Sequence, residues 1–82
     1  MANLNKTFLV ENFVQNADGL YEASILGTLH NFGTHFHMAR ALLRDENNTW
    51  HNTVTPYEIS ANGDLKIFVT EPGIYRVTIV QD

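Results

Sequence analysis

Residues 63 to 80 read Gly-Asp-Leu-Lys-Ile-Phe-Val-Thr-Glu-Pro-Gly-Ile-Tyr-Arg-Val-Thr-Ile-Val. Leu65, Ile67 and Val69 alternate with Lys66, Phe68 and Thr70, and after Pro72-Gly73 the residues Tyr75, Val77 and Ile79 alternate with Ile74, Arg76, Thr78 and Val80. A period of two, built from β-branched and aromatic residues, is the pattern of a strand with one buried face. The stretch is therefore two short strands joined at Glu71-Pro72-Gly73, where proline presets φ for the first central turn position and glycine closes the turn.

Working outward, similar punctuation occurs at Asn16-Ala17-Asp18-Gly19, Asn31-Phe32-Gly33, Asp45-Glu46-Asn47-Asn48 and Asn62-Gly63-Asp64. Short segments between evenly spaced turns indicate a β-sandwich or barrel. The expectation is an all-β chain forming one domain over residues 1–82, an antiparallel β-sandwich of six to seven short strands, immunoglobulin-like or jelly-roll-like. The strands are placed near 6–15, 20–30, 34–44, 49–60, 64–70 and 74–81. Residues 1–5 have little to anchor them and are expected to form a mobile amino-terminal arm.

One segment reads two ways. Residues 37–46 are rich in helix formers, with Met38/Leu42 and Ala39/Leu43 at helical spacing, so helix competes with strand there. As a strand, a four-residue loop Asp45–Asn48 pairs Leu43 with Trp50, Ala41 with Asn52 and Ala39 with Val54. That register puts Leu43, Trp50, Ala39 and Val54 on the core face. Phe36, Met38, Leu42 and Tyr57 then fall on the opposite face among Arg40, Arg44, Thr53 and Thr55. A half-apolar outer face reads either as a binding surface, which makes Phe36, Met38, Leu42 and Tyr57 the candidate interface residues, or as a face covered by another strand or by the amino-terminal arm. The expected core comprises Phe8, Val10, Tyr21, Ile25, Leu43, Trp50, Val54, Ile67, Tyr75, Val77 and Ile79.

Composition bounds the partners. Charged residues make up 17% of the chain, below the usual quarter or so, and a surface poor in charge favours protein contacts. With 82 residues the core is small, and with no cysteine there is neither a disulfide nor a cysteine-based zinc site to supplement it. A homo-oligomer or a larger assembly is expected to supply the remaining stability. The net charge is −4, and the basic residues Lys6, Arg40, Arg44, Lys66 and Arg76 are scattered along the sequence, so a nucleic-acid partner is not expected. No apolar run is long enough to span a bilayer and the amino terminus does not read as a signal peptide, so no membrane partner is expected, and the chain is expected to fold in a cytoplasm.

No catalytic or cofactor-binding residues are assigned. Ser24 and Ser60 lie outside any nucleophile elbow, the glutamates fall at turns or polar strand positions, and the glycines are isolated. His35-Phe36-His37 puts two imidazoles on one strand face at metal-ligand spacing, but lacks a third local ligand. Metal binding at His35 and His37 would therefore need copies meeting at an oligomer axis, and otherwise these are surface histidines. Trp50, Tyr21, Tyr57 and Tyr75 are candidate platforms for a glycan.

Asp18-Gly-Leu-Tyr-Glu-Ala-Ser-Ile-Leu-Gly-Thr-Leu-His30, Leu43-Arg-Asp-Glu-Asn-Asn-Thr-Trp50 and Gly63 to Val80 occur in an order that resembles small structural proteins of tailed-bacteriophage virions. The resemblance covers residues 18 to 80 and rests on turn and strand patterning. Two features depart from the pattern: Asn47-Asn48 replaces a glycine-containing hairpin, and residues 37–44 lack the β-branched character of the family. The resemblance implies a non-enzymatic virion protein with an immunoglobulin-like sandwich, most directly a capsid decoration or head-surface protein. Its partner would be the major capsid or tail protein of the same virion. The alternative is a carbohydrate- or receptor-binding module of a tail or fibre.

Overall fold

A computed structural model describes residues 2–82. Among them the chain forms eight strands: β1 Asn3–Phe8, β2 Val14–Gln15, β3 Tyr21–Ile25, β4 Phe36–Arg44, β5 Trp50–Thr53, β6 Tyr57–Ile59, β7 Leu65–Val69 and β8 Ile74–Gln81. A 3-10 turn, Val10–Asn12, separates β1 from β2, and one helical turn, α1 Gly27–His30, follows β3. The strands make two antiparallel four-stranded sheets, β1-β8-β4-β5 and β2-β3-β7-β6, in a sandwich-like arrangement. Segment 37–44 is strand throughout, so packing against β8 overrides its helix propensity.

The inner residues of both sheets meet in one core. Ile25, Leu65, Ile67, Val77 and Ile79 are fully buried, and Phe8, Phe13, Ala23, Phe36, Ala41, Val69 and Tyr75 complete the cluster. Phe13 joins the ends, with its ring 6.0 Å from Phe8 and 5.5 Å from Tyr75. The two strands of residues 63–80 are not a hairpin: β7 and β8 belong to different sheets, and Glu71–Gly73 is the corner between them. The Tyr75 hydroxyl donates to the Glu71 carbonyl at 3.3 Å across that corner. Burial, then the Glu71 charge, raises the Tyr75 phenol above its ordinary value and keeps it a donor.

Several expectations are corrected. Three residues of the supposed mobile arm, Asn3 to Asn5, lie in β1 and pair with Val80, Ile79 and Thr78; Met1 lies outside the described residues. Residues 26–30 leave the sheet because the chain turns at α1 to reach the other layer. Val10 sits exposed in the 3-10 turn, and Val54 is 95% exposed in the crossing from β5 to β6.

The β4–β5 register differs by one residue: Arg44, not Leu43, pairs with Trp50. Asn48 takes a left-handed φ of 64°, and the Asp45 N–H donates to the Thr49 carbonyl, so the loop consumes one residue more than the four assumed. A one-residue slip moves side chains to the opposite face, and it carries Trp50 from the core to the outside. A β-bulge between Met38 and Arg40 then reverses the alternation within β4. Phe36 (3% exposed) and half-buried Met38 therefore face inward, as Ala41 and Leu43 do beyond the bulge.

Candidate docking face

Of the expected interface residues, Leu42 alone is on the outer face of the β1-β8-β4-β5 sheet. Phe36 is in the core, Met38 packs against it, and Tyr57 belongs to β6 in the other sheet. The outer face is instead built as follows. Tyr75, Val77 and Ile79 of β8 are buried, so Ile74, Arg76, Thr78 and Val80 point outward. In β4 beyond the bulge, Ala41 and Leu43 turn inward and Arg40, Leu42 and Arg44 outward. In the β4–β8 ladder Leu42 stands opposite Arg76, Arg40 opposite Thr78 and Arg44 opposite Ile74. Trp50, paired with Arg44, brings its indole onto the same face.

The ring is engaged by two cations. The Arg76 guanidinium carbon is 4.7 Å from the indole centroid and that of Arg44 is 5.8 Å away. Stacking of this kind orients a guanidinium while leaving its planar edge of N–H donors available to a further acceptor. Among the described residues the carboxylates of Asp82, Asp45 and Glu22 are engaged by His37, His51 and Lys66, and none of Arg40, Arg44 and Arg76 is matched by a carboxylate. Three of the five Lys and Arg residues of a chain with net charge −4 thus share one sheet face. Their spread through the sequence concealed this. The readable part of the signal was Arg40, Leu42 and Arg44 at every second position of one strand.

Carboxylates bracket the face. At one end Asp45 accepts from the N–H groups of Asn47 and Thr49, both 2.9 Å, and from His51 Nε2 at 2.6 Å. The His51 bond, then that of Thr49, holds the Asp45 carboxyl below its ordinary value. At the other end His37 Nδ1 donates to Asp82 at 2.6 Å. The opposite sheet bears a compensated pair on its outside: Asn16 and then Lys66 lower the Glu22 carboxyl.

The remaining chemistry is dispersed. His35 precedes β4 and His37 is engaged by Asp82, and among the described residues no three His, Asp or Glu side chains converge as metal ligands. His30 is buried, with Nδ1 accepting from the Phe32 N–H at 2.9 Å, so Nε2 carries the proton and donates to the Gly63 carbonyl at 2.6 Å. The ring lies against Phe36 at a tilt of 54°, 4.4 Å between centroids, and joins the loop after β3 to the turn before β7. A cleft of about 150 Å³ lies between the β5–β6 crossing and the β7–β8 corner, lined by Thr53, Val54, Thr55, Phe68 and Tyr75 among others. Thr55 Oγ1 is buried there without a hydrogen-bond partner among the described residues. Of the candidate glycan platforms, Tyr75 is buried, Tyr21 packs against the core and Trp50 is engaged by arginine, leaving Tyr57 as the freest ring.

No protein-family model, curated protein or solved structure matches this chain.

Proposed function

We propose that this chain is a non-enzymatic structural module of a virion, immunoglobulin-like in type, that docks onto a neighbouring protein through the outer face of its β1-β8-β4-β5 sheet. The observation that carries the docking part is the set of Arg40, Leu42, Arg44, Trp50 and Arg76 on one sheet face, with three cations lacking carboxylate partners among the described residues. Orienting such groups on a surface serves recognition better than folding, because exposed charges contribute little to stability.

The immunoglobulin-like type is supported by strand order. The orders β2-β3-β7-β6 and β1-β8-β4-β5 correspond to A-B-E-D and G-F-C-C′ of such domains, with the amino-terminal strand β1 in the place of the carboxy-terminal strand G. The bond from Tyr75 to Glu71 sits at the E–F corner, where these domains place a tyrosine. The virion setting rests on the sequence resemblance over residues 18 to 80, and capsid decoration is the placement that resemblance implies.

The experiment is quantification of the chain in purified particles. Copy numbers comparable to those of the shell protein mean decoration of the lattice, a few copies per particle mean a tail or fibre position, and absence from particles ends the virion reading. Leu42→Asp should leave the chain folded and lower its occupancy, because it puts a carboxylate at the centre of the face.

A further inference from the structure

We infer that the docking face is built for a compact acidic patch on another protein; this rests on the docking reading above. Arg40 and Arg44 are four residues apart on β4, and Arg76 stands beside Leu42 between them, so the three cations form a triangle. Its long side is about 13 Å at strand rise. Each guanidinium offers a planar fork that matches a carboxylate, and stacking on Trp50 orients two of the three.

The surroundings decide between acidic partners. An extended polyanion following β4 would leave the triangle at Arg44 and meet Asp45 and Glu46, or leave at the other end and meet Asp82 beside His37. Beyond the three arginines the chain carries two Lys against nine Asp and Glu, a net −7. Nucleic acid and sulfated polysaccharide pass into that repulsion, whereas a cluster of carboxylates about 13 Å across ends before reaching it. A second copy is a poorer match, since both copies carry −4 and the acids without a cationic or histidine partner among the described residues, Glu11, Asp18, Glu46, Glu58, Asp64 and Glu71, are spread over separate elements.

Size sets the strength. Strands of 6, 8, 9 and 4 residues, about 3.3 Å per residue and about 4.8 Å apart, present roughly 430 Å². A standard stable interface takes about 800 Å² from each partner. A single contact is therefore weak, and occupancy depends on many copies or on additional contacts.

The test uses the intact chain at low ionic strength and follows Trp50, its one tryptophan, by fluorescence. The probes are a Glu- and Asp-rich peptide, a single-stranded deoxyoligonucleotide and heparin, matched in total charge. The expected result is saturable quenching or shift with the peptide, weakened at least about tenfold when ionic strength rises from about 0.02 to about 0.5 M. It should be lost in the triple variant Arg40→Gln, Arg44→Gln, Arg76→Gln. Tighter binding of the oligonucleotide or heparin than of the peptide overturns the compact acidic partner, as does no response to any probe. Salt-sensitive self-association without a probe makes the partner a second copy and likewise overturns it. Particle occupancy separates this from the parent reading: if Leu42→Asp lowers occupancy and the triple glutamine variant does not, docking stands and the acidic partner is wrong. If neither variant lowers it, docking through this face is wrong.

Discussion

Arg76 on β8 covers the indole of Trp50 on β5 at 4.7 Å although β4 lies between their strands. The side chains span the sheet from outside, so this contact is independent of the core. Trp50→Ala should therefore leave the chain folded and cost about 1–2 kcal/mol, the scale of a partly desolvated cation–π contact. Phe36→Ala removes a ring buried to 3% exposure and should cost about 3–5 kcal/mol. Urea midpoints of the two variants, measured side by side, check the ordering. Equal losses would put the indole in the core.

Gly63 and Gly19 both have φ in the left-handed region, 89° and 83°, but their surroundings differ. A Cβ at Gly63 would lie 2.6 Å from the Gly33 carbonyl oxygen, a backbone atom, whereas a Cβ at Gly19 would meet no atom of the described residues within 4 Å beyond its own chain neighbours. Gly19→Ala should cost about 1 kcal/mol, the conformational term alone. Gly63→Ala should cost at least about 2 kcal/mol more, because the turn before β7 must move off the loop before β4. Thermal melts of the two variants give the comparison.

His30 holds the same two segments from the side-chain direction. His30→Ala leaves the Gly63 carbonyl and the Phe32 N–H without their partner and opens space against Phe36, and should cost about 3 kcal/mol or more. Hydrogen exchange should accelerate first in residues 27–35 and 60–64. Uniform acceleration would mean that the ring does not act as a local tie.

Asp45 gives the acid limb of the stability profile a defined contribution. Its folded carboxyl is depressed by the His51 bond and by the N–H groups of Thr49 and Asn47. A depressed carboxyl stabilises the fold above its unfolded value and loses that contribution as pH falls through the folded one. Asp45→Asn keeps an oxygen for the two N–H donors and removes the charge. The wild-type chain should be the more stable above about pH 4, the ordinary carboxylate range of the unfolded chain, and the difference should vanish as pH falls through the depressed folded value. Urea titrations across that range provide the test, and a difference that persists at the acid end would contradict it.

The sequence made the strands legible because period-two alternation is local: β7 and β8 lie within a residue of their expected limits, and Leu42, Arg40 and Arg44 share an outer face as the alternation requires. Two single-residue events escaped it. Asn48 lengthens the β4–β5 loop by one residue, and the bulge between Met38 and Arg40 reverses the alternation of β4. Each moves side chains across the sheet, so Trp50 and Phe36 exchange roles between core and surface. The cation cluster was hidden for another reason. Arg76 reaches Arg40 and Arg44 through β4–β8 pairing, which joins strands far apart in the chain.

The most direct measurement of the central claim is acrylamide quenching of Trp50 in the free chain and in the assembled particle, after replacing the chain's tryptophan with 5-hydroxytryptophan, which is excited at longer wavelength so that its emission is distinct. The docking account predicts ready quenching in solution and strong protection in the particle, with protection lost in Leu42→Asp. An indole equally accessible in both states would contradict the account, since the face that carries Arg40, Arg44 and Arg76 would then be uncovered where the protein works.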